Sequence, residues 1–335
     1  EYRQELALKM NEIFHFDFLK IPMKEQEYIV NNIKLKEGIA KNTALLENLF
    51  TLFVCVNARV PVFIVGKPGC SKSLSVQLLF KAMKGENSEN ILFKTLPKLI
   101  CNSYQGSKSS NSKGVLSIFR KARKIIEQEK KEDLHKILSM IYFDELGLAE
   151  HSPHNPLKVL HAELEYDNNC REVEKKIAFV GISNWVLDAS KMNRGLYLSI
   201  PQPDKEDLIK TALTIADSYE QNLVKDYKDL FEALAITYFE YKEKLEKTIR
   251  NDFHGSRDFY HLIKIASKSL INEINQNNGD VLDEHIKEVI AVDSIERNFG
   301  GIEFEDNGKT SLEMVKEILK NKYANIIANK RYDVV

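Results

Sequence analysis

The stretch "IVGKPGCSKS", residues 64–73, sets a lysine and a hydroxyl directly after a turn built from glycine and proline. It departs by one letter from the phosphate-binding pattern G-x-x-x-x-G-K-[ST], because Ser71 stands where the second glycine belongs. Such a turn binds phosphate through backbone N–H groups at a helix N-terminus, where the dipole also favours anions. Gly66, Lys67, Pro68, Gly69, Cys70, Ser71, Lys72, Ser73 and Leu74 are the expected nucleotide contacts. Lys72 can reach the β and γ phosphates of ATP, and the Ser73 hydroxyl can bind the Mg2+ that bridges them. Ser71 keeps its N–H but adds a side chain. A negative φ there costs little; a positive φ strains the turn by about 1 kcal/mol or more.

Four further groups could turn binding into hydrolysis. "MIYFDELG" ends an apolar run in Asp144 and Glu145, which places both at a strand's C-terminal tip. Ligands of open α/β sheets sit at that edge. Asp144 suits the water shell of Mg2+, and Glu145 suits a base that polarises the attacking water. "VGISN" ends a second apolar run in Asn184, whose amide could orient that water or touch the γ phosphate; capping the next helix is the competing role. Arg194, in "MNRG", could reach the γ phosphate of a neighbouring module, or be an ordinary surface arginine. Arg257, in "HGSRDFYHLI", opens a helix, where the macrodipole does not favour a cation, so a phosphate-facing role is the better explanation. His151, His154 and His161 are loosely spaced like metal ligands, but the two prolines between them and the lack of a nearby cysteine argue against a metal site.

These residues need a parallel sheet with helices on both faces. "VPVFIVG" reads as a buried strand, followed by a helix with Leu74, Leu78, Leu79 and Met83 turned inward. A helix precedes it over 37–56, with Leu45, Leu46, Leu49, Phe50 and Phe53 at helical spacing. Further strands are expected at 90–96, 139–145, 176–184 and 196–200, a polar loop at 102–114, and a helix carrying Val115, Ile118, Phe119, Ala122, Ile125 and Ile126 on one face. From Asp204 helical patterns dominate, over 204–218, 222–247, 256–271 and 281–294. The expected organisation is an N-terminal flank (1–36), a large α/β nucleotide-binding domain (37–203), a smaller all-helical lid (204–295) and a linker (296–335) toward a following module, with a last helix starting near Ser311.

The totals are permissive. With 335 residues, 43% hydrophobic and 29% charged, the chain can bury the cores of about two domains. The 48 basic and 49 acidic residues give no electrostatic reason to expect a nucleic-acid partner. Four scattered cysteines with no C-x-x-C pair suggest neither zinc nor a disulfide framework, and point to a reducing compartment. The longest apolar stretch is interrupted by Asn57, Arg59 and Pro61, so no transmembrane segment is expected. There is no signal peptide and no initiator Met, and the chain reads as a piece of something longer.

The loop, the Asp-Glu strand end, the strand-end Asn and the two arginines occur in the order of AAA+ ATPases, over roughly residues 37–295. "IAKNTALLENLF", "SYQGSKSS", "DELGLAEHSPHNPLKVLH", "GISNWVLDASKMNRG", "HGSRDFYHLIK" and "ERNFGG" resemble an AAA+ module of the mysterin family, giant RING-finger ubiquitin ligases with a row of such modules in one chain. In that family this module type carries Ser at the position of Ser71. The resemblance implies an AAA+ P-loop fold with a helical lid, and ATP and Mg2+ as ligands. It implies hydrolysis by Lys72, Ser73, Asp144, Glu145, Asn184 and Arg257, with Arg194 facing an adjacent module. It also implies a cytoplasmic protein, with lipid-droplet association, that meets the ubiquitin machinery through other domains; no RING cysteine pattern is present in this sequence. Two alternatives stay open: a nucleotide-loaded structural switch without useful hydrolysis, and a module of a concatenated motor of the dynein or ribosome-assembly kind.

Overall fold

A computed structural model describes residues 2–15, 17, 20–220, 222–245, 254–277, 281–300 and 310–330. In chain order the elements are α1 (Tyr2–Phe14), α2 (Lys20–Asn31), α3 (Thr43–Ala58), β1 (Val62–Val65), α4 (Lys72–Ala82), α5 (Ile91–Lys94), β2 (Lys98–Gln105), α6 (Ser112–Gln128), β3 (Ile137–Asp144), α7 (Leu146–Glu150), α8 (Lys158–Asn169), β4 (Ala178–Ser183), α9 (Ala189–Met192) and β5 (Leu196–Ser199). The remainder is helical: α10 (Lys205–Asp217), α11 (Leu223–Leu245), α12 (Ser256–Gln276), α13 (Glu284–Phe299) and α14 (Ser311–Lys330). The chain forms two compact units, one of residues 1–35 with 44–201, the other of 36–43 with 202–335.

The first unit is built on one five-stranded sheet in the order β2-β3-β4-β1-β5, with every pairing parallel. Parallel strands covered on both faces must be apolar throughout, and β1 and β4 are buried at every position. On one face, α6 turns Val115, Phe119, Ala122 and Ile126 inward at spacings of four, three and four, against Ile141, Phe143 and Phe179 of the sheet. Phe119 stacks on Phe179 with ring centroids 6.1 Å apart.

Two local expectations are corrected. Residues 91–94 are not a strand but a helical turn, because the Asn90 side chain accepts from the Leu92 N–H at 2.8 Å and caps it. The strand lies later, and its second half falls in the segment expected to be a loop. β2 is an edge strand, exposed or half-buried at every position but Leu99 and Asn102, so it accommodates Ser103 and Gln105 while pairing with β3 over its whole length. Residues 1–36, whose mixed pattern predicts no element, contain α1 and α2; α2 buries Ile29 and Val30.

The second unit packs Leu208, Ala212, Phe231, Leu234, Phe259, Ile263 and Phe299 from α10 to α13 into one core. Val315, Ile318 and Leu319 of α14 join that core, so the packing continues past residue 295, where the pattern of the sequence ends the lid. The Thr43 N–H and hydroxyl both bond the Asp207 carboxylate, at 3.0 and 3.1 Å.

Candidate functional site

The strand order decides which tips meet. In β3-β4-β1, the carboxyl ends carry Asp144, Asn184 and Gly66 side by side. Adjacent strands lie about 4.8 Å apart, so the outer two tips are about 10 Å apart, a span that a phosphate chain with a metal ion can fill.

At the β1 tip, the chain leaves the sheet through Gly66, whose N–H bonds the Ser183 carbonyl at 3.2 Å. Gly69 has φ +91 and Ser71 has φ 55, ψ 12, both left-handed. Ser71 therefore bears the strain that a glycine avoids, which is why the common pattern has glycine there. Alternation into the left-handed region turns successive N–H groups inward, the backbone concavity that holds anions. The loop is anchored from below: Asn48, fully buried on α3, donates to the Cys70 carbonyl at 2.9 Å. α4 opens at Lys72, which is 5% exposed and whose ammonium donates to the carbonyls of Gly66 and Lys67. Burial pushes the Cys70 thiol up, opposed by the ammonium groups of Lys72 and Lys67. Pro68 is exposed and Leu74 half-buried.

At the β3 tip, Asp144 accepts from the Glu145 N–H at 3.0 Å. Glu145 is itself left-handed, at φ 51 and ψ 43, and precedes α7. Gly106, which follows β2, lies against it. A Cβ on Gly106 would come within 2.2 Å of the Glu145 carbonyl oxygen, so the turn that presents Glu145 requires glycine at its neighbour. The Asn184 amide donates to both carboxylate oxygens of Glu145, at 3.2 and 3.0 Å. Asn184 is thus a partner of the acid and not a helix cap.

Ser73 and Asp144 also share a neighbour. The Tyr142 hydroxyl is sealed from solvent and makes no hydrogen bond of ordinary geometry. Burial pushes this phenol up, and both the Ser73 hydroxyl and the Asp144 carboxylate lie near enough to influence it. Two hard oxygen donors near the same buried phenol suit Mg2+, which takes one or two protein oxygens and keeps several waters. The donor set therefore fits that ion.

The two arginines lie on other elements. Arg194 is 30% exposed and is held by α8: its guanidinium lies 3.0 Å from His161 Nδ1 and 3.5 Å from the Glu165 carboxylate, and bonds Asn193 at 2.9 Å. Arg257 is exposed in the first turn of α12, in the second unit. His151 packs against Trp185 with ring centroids 5.6 Å apart. No cluster of three or more His, Cys, Asp or Glu side chains that could hold a metal ion occurs among the described residues. Asn48, Tyr142 and Gly106 escaped sequence reasoning; only "SYQGSKSS" carried a trace of the last.

Comparison with known proteins agrees with this geometry. A family model described as "RNF213 AAA domain" matches residues 38–207, just over half of the chain. The E3 ubiquitin-protein ligase rnf213-beta of Danio rerio is 38% identical over 299 residues, covering 88% of this chain and 6% of that protein. The E3 ubiquitin-protein ligase RNF213 of Homo sapiens is 39% identical over 249 residues, 72% of this chain and 5% of that protein. The chain thus spans about one-twentieth of the length of these relatives. Among solved structures, the ORC2 protein of Aeropyrum pernix, in ADPNP and ADP complexes, aligns with a TM-score of 0.51 at 14% identity, covering 84% of this chain and 78% of that one. That is a likeness of fold, and the fold is the AAA+ P-loop type. No helix among the described residues is long and apolar enough to cross a membrane.

Proposed function

Because the chain belongs to the RNF213 AAA-domain family, we propose that it is an ATP-binding and hydrolysing AAA+ module of a mysterin-like ubiquitin ligase, coupling nucleotide state to the conformation of a larger array of modules. The observation that carries this reading is the Asn184 amide held on the Glu145 carboxylate at the strand tips, with Ser73 and Asp144 both near the Tyr142 hydroxyl. The left-handed loop from Gly66 to Ser73 takes the phosphates on its N–H groups. Lys72 leaves the carbonyls of Gly66 and Lys67 to neutralise the β and γ phosphates. Ser73 and Asp144 would hold Mg2+, which would supply charge neutralisation at the transferring phosphoryl group. Glu145, its carboxylate oriented by Asn184, accepts a proton from the attacking water. Leu74 lies at the nucleotide end of α4. Arg257 reports on the γ phosphate from the helical lid, and Arg194 serves an adjacent module.

Lys72→Ala tests the reading directly. Calorimetry of the 335-residue chain with ATP and Mg2+ is expected to show affinity falling about a hundredfold or more, the worth of a buried charged contact to phosphate. Unchanged affinity would remove the nucleotide from this site.

A further inference from the structure

The nucleotide reading leaves one polar group of the site without a task. Tyr142 sits two residues before Asp144 on β3, so strand alternation puts both side chains on the same face of the sheet. Its backbone is in register with Ser103 on one side and Val180 on the other, which fixes the ring in the interior of the sheet. Its hydroxyl oxygen is shut off from water and has no partner of ordinary geometry, although Ser73 and Asp144 flank it. A buried hydroxyl left in that state is costly, and few proteins keep one without a use.

The chemistry of the two neighbours supplies the use. A serine hydroxyl that gives a lone pair to a cation keeps its hydrogen and needs an acceptor for it. A carboxylate that helps hold the same cation keeps lone pairs that need a donor. A phenol hydroxyl can serve both at once. We propose that Tyr142 is a positioning residue of the cation site, accepting from the Ser73 hydroxyl and donating to the Asp144 carboxylate, so that the loop and the strand tip are oriented together. No proton changes hands in this chain. The proposal deepens the nucleotide reading and rests on it.

The test is the Mg2+-dependent part of nucleotide affinity. ADP binding to the 335-residue chain would be measured by calorimetry in excess Mg2+ and in EDTA, for wild type and Tyr142→Phe. Phenylalanine keeps the ring and removes only the hydroxyl. We expect equal ADP affinities in EDTA, and an increment from Mg2+ about tenfold smaller in the variant, the effect of one lost hydrogen bond to a charged group. In a double-mutant cycle, Ser73→Ala should then cost less in the Tyr142→Phe background than alone. A merely structural tyrosine would move both ADP affinities together, and that result, or a full Mg2+ increment in the variant, overturns the proposal. Wild-type binding in EDTA tests the nucleotide reading separately: ADP bound in neither condition would sink both. If the phenylalanine variant does not fold, Tyr142→Met, which fills the space without a hydroxyl, carries the same comparison.

Discussion

The two compact units differ in where they place polar contacts and backbone strain relative to the proposed site. In the helical unit, two buried serines bond within their own helix: Ser267 donates to the Ile263 carbonyl at 2.8 Å and Ser294 to Ile290 at 2.7 Å. In the α/β unit, the polar contacts at the strand tips join different elements, as in Asn48 to Cys70 and Asn184 to Glu145. Left-handed residues other than glycine are more numerous in the α/β unit, where His15, Arg59 and Asn155 also adopt that conformation. Among the described residues the helical unit has Asn222, at φ 82, whereas Ser71 and Glu145 both frame the proposed site of the α/β unit. Asparagine tolerates that conformation far better than serine or glutamate does. The α/β unit accepts local cost where chemistry is to be done.

The sharpest way to break that contrast is to cross a site variant with a core variant. Glu145→Gln removes the proposed base and should cut phosphate release about a thousandfold, measured with a neighbouring module present to supply an arginine. Its effect on thermal stability should stay within about 0.5 kcal/mol. Phe259→Ala should do the reverse in kind. Phe259 is fully buried and stacks on Tyr238 at 4.9 Å, so its loss is expected to cost about 4 kcal/mol in chemical unfolding. ADP affinity of the molecules that remain folded should hold. A Glu145 variant that melts early, or a Phe259 variant that folds as well as wild type, would erase the distinction.

A second test concerns buried charge inside the α/β unit, away from the strand tips. Arg123 on α6 faces Glu163 at 2.5 Å and Asp167 at 3.6 Å on α8, and lies over the Tyr166 ring at 4.6 Å. Burial pushes the Asp167 carboxyl up from 3.8 to about 6, with the Glu163 charge adding to the rise and Arg123 opposing it. The protonated form is the one the fold prefers. Asp167 therefore contributes most below its unfolded value of 3.8, and that contribution is lost as pH rises through about 6. Asp167→Asn imitates the protonated state at every pH. Its stability relative to wild type should be greater at pH 7 than at pH 5, by about 1 kcal/mol, in parallel urea titrations. A difference that does not change with pH would mean the carboxylate is comfortably paired with Arg123.

How much of this was legible in the sequence depended on whether a local rule or a remote partner decided the outcome. "VPVFIVG" and "MIYFD" announce strands because central parallel strands must be apolar, and Lys72, Ser73, Asp144 and Glu145 follow them directly. Lys98–Gln105 did not announce itself, because an edge strand carries polar residues that also compose loops. Asn90 turned the apolar residues after it into a helical turn through a single cap. The pairing of Asn184 with Glu145 and the place of Tyr142 depend on the order of strands in the sheet, which no local pattern encodes. Asn48 is a polar residue on the buried side of an apolar helix, a signal that points to some partner but not to which one.

The smallest expected effect is also the most discriminating. Ser71 has φ 55, and its side chain makes no capping bond to α4, although its carbonyl accepts from Ser75 at 2.8 Å. The fold thus bears the strain without a visible local return. Ser71→Gly should relieve it, but glycine also loses more freedom on folding, so the net gain should be less than about 1 kcal/mol. Ser71→Ala keeps the strain and removes only the hydroxyl. If the serine is there for nucleotide, both variants should weaken ADP binding by a similar few-fold factor, the worth of one neutral hydrogen bond. If the loop works through its N–H groups alone, as its backbone geometry implies, glycine should raise the melting temperature slightly, alanine should not, and neither should change ADP affinity. A glycine variant that melts lower than wild type would show that the left-handed turn is not a cost at all, and the case for strain at the proposed site would then rest on Glu145 alone.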